Sequence, residues 1–237
     1  MTLHILATGT SRGIGAAIAA GFADTPDIRF VGHATRPAPG ILAADLALAD
    51  GADRLWDAAL AALDGRIDVL VNNAGIFEAA ALDAADADWA DVWARTMQVN
   101  LTASSALSRR AIAHWRQRAS GGRIVNVASR AAYRGDSPAH WHYAASKAGM
   151  VAVTKTIARG YAREGIYAFA VCPGFTMTGM AEEYLASRGG DALLRDIPLG
   201  RVAEPEEVAR TVRFLALEAP PSMTGAVIDV NGASHVR

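Results

Sequence analysis

Short apolar runs and longer stretches with a helical repeat alternate along this chain. The runs at 3–7, 28–33, 41–44, 67–71, 123–128, 166–171 and 226–230 are four to six residues long and bounded by turn-forming residues. Runs of that length, apolar almost throughout, read as strands buried on both faces. Between them, 16–23, 53–63, 88–119 and 141–162 carry the spacing of helices. A further helix begins at Glu204-Pro205-Glu206-Glu207, where the proline and the acids suit a helix N-terminus. The strand–helix alternation recurs about six times. It predicts an α/β chain: a single doubly wound Rossmann-type domain over 1–237, with a central parallel sheet flanked by helices on both faces. Residues 177–200, helical in parts and broken at Gly189-Gly190, read as a movable lid.

Composition narrows the partners. The chain has 237 residues, 51% hydrophobic and 20% charged, enough for one well-buried core. A net charge of -1 gives no electrostatic reason to expect nucleic acid or an anionic membrane. The single Cys172 excludes an intrachain disulfide and suits a reducing compartment. Neither a signal peptide nor the roughly 20 apolar residues of a membrane span is present, so the expectation is a cytoplasmic protein.

Chemistry concentrates where the predicted strands end. Thr8-Gly9-Thr10-Ser11-Arg12-Gly13-Ile14-Gly15 lies between the first strand and the first helix. A glycine-rich turn there lets backbone approach a pyrophosphate at the helix N-terminus, which favours anions. An acid about 20 residues further on usually holds the adenosine ribose of NAD. Between Asp27 and Asp45 this chain has none; Ala34-Thr35-Arg36 follows the second strand instead. Arg36, with Arg12 in the glycine turn, would bind a 2′-phosphate, which favours NADP(H) over NAD(H); as an alternative, Arg36 is a solvated loop residue. Asp45-Leu46 would sit at the adenine edge. Asn72-Asn73-Ala74-Gly75 ends the fourth strand, where such amides either meet a ligand or cross-link loops.

Tyr143 and Lys147 are four residues apart in a predicted helix and so share a face. Lys147 is one of two lysines against 21 arginines. A free tyrosine, with a pKa of about 10, is a poor acid or base near neutrality. A nearby ammonium would draw that pKa down and make proton transfer practical. Ser129 ends the fifth strand without a hydrolase motif around it, so it reads as a hydrogen-bond donor and not a nucleophile. Asn100, alone in an apolar helix, reads first as a helix-packing hydrogen bonder.

Together these residues resemble the short-chain dehydrogenase/reductase family, in the compact branch similar to 3-oxoacyl-carrier-protein reductases. The resemblance rests on Thr8-Gly9-x-x-x-Gly13-Ile14-Gly15, Asn72-Asn73-Ala74-Gly75, Asn100, Ser129, Tyr143-x-x-x-Lys147, Pro173-Gly174 and Ile197-Pro198-Leu199-Gly200-Arg201, in order along nearly the whole chain. It implies Tyr143 as acid/base, Ser129 as the donor polarising a carbonyl, Lys147 on the nicotinamide ribose and Asn100 holding a water in a proton relay. It implies cofactor contacts from Gly9, Ser11, Arg12, Gly13, Ile14, Gly15, Thr35, Arg36, Asp45, Leu46, Asn73, Ala74, Gly75, Tyr143, Lys147, Pro173, Gly174, Thr176 and Thr178. No metal is implied. The substrate would be a small carbonyl or alcohol compound, a carrier-bound acyl group among the options. The assembly would be a homo-oligomer, a tetramer or dimer, built on helices near Asn100–Arg118 and 141–162, with Trp141, Met150 and Val151 beside Ala148 and Gly149 as its apolar face.

Other readings are a dinucleotide-binding regulator without turnover, which would not need the proton-relay set, and an NAD-preferring alcohol dehydrogenase. An epimerase or dehydratase of the longer branch lacks its C-terminal length here. Three departures stand out. The loop before Tyr143 carries His140-Trp141-His142, Ala233 stands where a second glycine is common, and Arg130 and Arg134 flank Ser129 as solvated loop arginines or as a hint of an anionic substrate.

Overall fold

A computed structural model describes residues 2–23, 25–178 and 190–237, without the side chains of 191–193. The strands are β1 (Leu3–Ala7), β2 (Ile28–Ala34), β3 (Ile41–Ala43), β4 (Val69–Asn72), β5 (Gly122–Val127), β6 (Ile166–Pro173) and β7 (Val227–Val230). They form one parallel sheet in the order β3-β2-β1-β4-β5-β6-β7. The order reverses between β1 and β4, the place where open α/β sheets leave a crevice at their carboxyl ends.

The helices are α1 (Gly13–Ala23), α2 (Gly51–Ala62), α3 (Asp86–Met97), α4 (Ala103–Gln117), α5 (Ala131–Arg134), α6 (Trp141–Tyr161), α7 (Gly190–Arg195) and α8 (Pro205–Leu217). Alternate strand residues face opposite layers. Leu6, Leu70, Ile124 and Ala168 pack with Leu55 and Trp56 of α2, Leu107 and Trp115 of α4 and Ile157 of α6. Their neighbours Ile5, Val69, Val125 and Phe169 pack with Ile18 and Phe22 of α1 and Val208 and Val212 of α8. The doubly wound reading therefore holds. Residues 179–189 of the proposed lid lie outside those described; Met177, Thr178, α7 and the segment to Gly200 are its described part.

Several boundaries shift by a few residues, and two places are informative. Helix α2 begins at Gly51, two residues early, where the chain passes so close to Asp45 that a Cβ would overlap its carbonyl oxygen. The long stretch after Asp86 is helical but broken in register by one π turn, Gln98–Thr102, around Asn100. Such turns often occur at functional sites.

Candidate active site

The glycine turn is held from three sides. Gly9 has φ +69°, and a Cβ on it would stand 2.7 Å from the Ala74 Cα. A Cβ on Gly15 would overlap the Gly9 carbonyl oxygen, so only glycine lets α1 pack this closely on the turn. Asn73 Nδ2 donates to the carbonyls of Thr8 and Gly9, both at 3.0 Å. Thr8 Oγ1 accepts from the amides of Asn73 (3.0 Å) and Ala74 (2.9 Å). Asn73 thus joins β4 to the turn, the cross-linking alternative. Asn72 does the same in the core. Its Nδ2 donates to Asn126 Oδ1 (2.8 Å), Ser108 Oγ (3.1 Å) and the Ser104 carbonyl (3.3 Å).

The residues around the turn fit a dinucleotide. The first turn of α1 carries no acid, so its free amides keep their pull on an anion. Ser11 and Arg12 are exposed, Gly13 and Ile14 half-buried, and a Cβ on Gly13 would meet Thr178 Cγ2 at 2.9 Å. Thr35 and Arg36 are exposed past the end of β2. Among the described residues neither Arg12 nor Arg36 has an ion-pair partner. Asp45 is exposed and its Oδ1 accepts from the Ala47 amide at 2.9 Å, whereas the Leu46 side chain is buried in the core. Any contact from Leu46 to a ligand is therefore through its backbone.

On the other side of the crevice, Pro173 ends β6 and its carbonyl accepts the Arg130 amide at 2.9 Å. Gly174 passes so near Asn231 that a Cβ would come within 2.8 Å of it. Buried Thr176 donates its hydroxyl to the Gly174 carbonyl at 3.2 Å.

The four proposed catalytic residues come together. Helix α6 presents Tyr143 half-buried and Lys147 buried, one turn apart, with Lys147 Nζ 5.8 Å from the Tyr143 ring centroid. Lys147 Nζ donates to the Val127 carbonyl at 2.9 Å. Ser129, buried at the end of β5, stands close enough to the Tyr143 hydroxyl to lower its pKa, and it accepts the Ala131 amide at 3.1 Å. Asn100 Oδ1 accepts from the Ile76 amide (2.8 Å), while Nδ2 donates to the Ile76 carbonyl (3.0 Å) and Ser146 Oγ (3.2 Å). Its side chain is a packing bond, as its isolated position suggested. Yet a Cβ on Gly75 would sit 3.3 Å from Asn100 Oδ1 and 3.4 Å from Lys147 Nζ, so these three positions share one space.

The electrostatics correct one expectation. The net shift of Tyr143 is upward, opposite to the direction expected from an ammonium alone. Desolvation pushes Tyr143 up to about 12, against the influence of Ser129, which lowers it. The same burial pushes Lys147 down to about 8. Removal of water is the largest influence on each group.

The flagged arginines and histidines find partners that sequence reasoning missed: Asp196, Phe77 and the Glu78 carbonyl. Arg130 is not a solvated loop residue: it is 9% exposed, lies 5.1 Å over the Phe175 ring and faces Asp196. Arg134 binds the same Asp196 oxygen at 2.7 Å, which holds that acid below its usual range. Phe77, 41% exposed, stacks on His140 (3.9 Å between centroids) and meets Tyr143 edge-on at 4.7 Å. His142 Nε2 lies 2.8 Å from the Glu78 carbonyl. The two histidines thus build a wall beside Tyr143 from separate partners. His33 also went unread; a lone histidine near the end of an apolar strand, after Gly32, was the available signal.

Comparison with known proteins agrees with this geometry. Residues 30–235 match a family model described as enoyl-(acyl carrier protein) reductase. The 3-oxoacyl-[acyl-carrier-protein] reductase of Synechocystis is 37% identical, over 96% of this chain and 94% of that protein. The 3beta-hydroxysteroid dehydrogenase 1 of Eggerthella lenta is 36% identical over 96% and 92% of the two chains. The 2-dehydro-3-deoxy-D-gluconate 5-dehydrogenase of Escherichia coli is 34% identical over 81% and 74%. A short-chain dehydrogenase family protein from Francisella tularensis shares the fold, with a TM-score of 0.82 over 99% of both chains at 22% identity. The chain therefore belongs to the short-chain dehydrogenase/reductase family, NAD(P)-dependent oxidoreductases that interconvert carbonyl and alcohol groups.

Proposed function

We propose that this chain reduces a carbonyl, or oxidises the matching secondary alcohol, with NADP(H) as cofactor and Tyr143 as acid/base. The observation that carries the reading is Ser129 beside Tyr143, with buried Lys147 one helical turn away and held by the Val127 carbonyl. The nicotinamide, when bound, supplies or accepts the hydride. The Ser129 and Tyr143 hydroxyls steady the substrate oxygen as negative charge gathers on it. Tyr143, protonated at neutral pH, gives its proton to that oxygen, or takes one back in the oxidative direction. Lys147, with its pKa near 8, is suited to pass a proton onward, and Asn100 beside it holds the water that continues the relay.

The preference for NADP(H) rests on Arg12 and Arg36, exposed and unpaired among the described residues, and on the absence of any acid from Ile28 to Ala44. The substrate is a small carbonyl or alcohol compound. A 3-oxoacyl thioester on a carrier is the first to test, with sugar-acid and steroid ketones beside it, since the relatives named above act on these classes. The assembly is a homo-oligomer, tetramer or dimer.

The cofactor reading is tested by kcat/KM with NADPH and NADH for wild type and for Ala34→Asp combined with Arg36→Ala. A carboxylate at the end of β2 repels a 2′-phosphate and accepts hydrogen bonds from a ribose diol. Charge-assisted bonds contribute about 1.5–3 kcal/mol each, so the preference moves toward NADH by at least about tenfold. Wild type preferring NADH, or an unmoved ratio in the variant, contradicts the assignment.

A further inference from the structure

His33 is buried at the end of β2 and engages three segments at once. Its Nδ1 accepts the Gly9 amide at 3.2 Å, and its Nε2 lies 3.0 Å from the Ala44 carbonyl, just after β3. An amide can only donate and a carbonyl can only accept. The ring is therefore the neutral tautomer with its proton on Nε2. The His33 carbonyl in turn accepts from the Thr10 amide (2.8 Å) and Thr10 Oγ1 (3.3 Å). The preceding Gly32 makes room, because a Cβ there would overlap Thr10 Oγ1. The first glycine of the turn is thereby held at its amide by a side chain from β2, and that ring is anchored to the segment carrying Asp45.

We infer that His33 is a positioning residue that fixes the glycine turn for the dinucleotide, and that its protonation releases the turn. The inference rests on the cofactor reading above. A protonated ring carries hydrogen on both nitrogens, so Nδ1 would then face the Gly9 amide donor to donor. The charged groups on the segments packed against the ring are Arg12 in the turn, Arg36 beyond β2 and Asp45 beyond β3, and Asp45 acts on it by favouring the charged form. Burial outweighs that and the Ala44 bond, and holds the pKa below its ordinary value of 6.5. The sign follows. The hold on the turn is complete above the ordinary histidine range, and it is lost as pH falls through the depressed value.

Two variants separate the ring's two bonds. In His33→Asn, Oδ1 takes the place of Nδ1 and still accepts the Gly9 amide. In His33→Gln, the longer amide reaches the Ala44 carbonyl and leaves Gly9 unpaired. The measurements are Gly9 amide exchange in the protein without cofactor and calorimetric affinity for NADP+, from about pH 7.5 down to about pH 5. The Gln variant at neutral pH should show exchange and Kd each raised about tenfold, with kcat at saturating cofactor within about twofold of wild type. The Asn variant should match wild type at neutral pH, and it should escape the loss of protection and affinity that wild type shows on acidification. Equal losses in Asn and Gln, or no loss in Gln, overturn the inference. Wild type that binds neither NADP+ nor NAD+ while Gly9 exchange behaves as described would overturn the cofactor reading and leave His33's hold on the turn standing.

Discussion

Tyr143 and Lys147 show opposite consequences of the same burial. Their spacing already revealed that they share a helix face. It could not reveal how much water each loses, because that depends on strands and loops far away in the chain. So the direction of the tyrosine shift was misread, while the pairing was read correctly. Ala233 is the reverse case. The sequence marked it as unusual, and the structure explains why: its φ is +63°, in the left-handed region where glycine is at ease. An L-residue there costs roughly 1–2 kcal/mol, partly offset by the greater freedom that glycine has in the unfolded chain. Ala233→Gly is predicted to stabilise the fold by about 0.5–1 kcal/mol, raising Tm by about 2 °C. Calorimetry checks this, and a lowered Tm would show that the alanine methyl makes a contact worth more than the strain.

At the scale of elements, helices and strands were legible because each has a regular apolar period, yet two residues of the expected outer face of α6 turn inward while Trp141 stays exposed. Met150 and Val151 are not on an outer face; they pack in the core with Ala128 and Cys172. Gly149 does stay on the outer face, against Leu101, where a Cβ would stand 2.6 Å from Cδ2. What α4, α6 and the π turn before α4 leave at the surface is a shallow groove lined by Leu101, Ala106, Gly149, Ala152 and Val153. An ungapped apolar run gives no clue to which residues turn inward. The oligomer expected from these helices therefore relies on that groove. Light scattering at micromolar concentration should give a dimer or tetramer for wild type and a smaller mass for Val153→Glu, with the circular dichroism spectrum retained. A monomeric wild type contradicts it.

Across the whole molecule, the parallel sheet and the carboxyl-end site followed from the alternation of strands and helices, since each strand delivers its last residues to the same edge. The polar framework beneath that edge was hidden. Asn72 and Asn126 are register partners in β4 and β5, and their amides run on to Ser108 of α4 and, through Asn126 Nδ2 at 2.8 Å, to Thr154 of α6. Only folding brings these distant polar residues into one buried network, which rigidifies the floor under Ser129 and Lys147. The part of the site that the chain's own order could not disclose is its support. The proposed proton transfer stands on one hydroxyl, that of Tyr143. The most direct test of the account is the turnover of Tyr143→Phe against a carbonyl panel with NADPH, read by absorbance, alongside calorimetric NADPH affinity. Only the phenolic oxygen is lost, so affinity should stay within about threefold while kcat falls by about 10²–10⁴-fold. A variant that keeps more than about a tenth of the wild-type kcat would contradict the role of Tyr143 as acid/base.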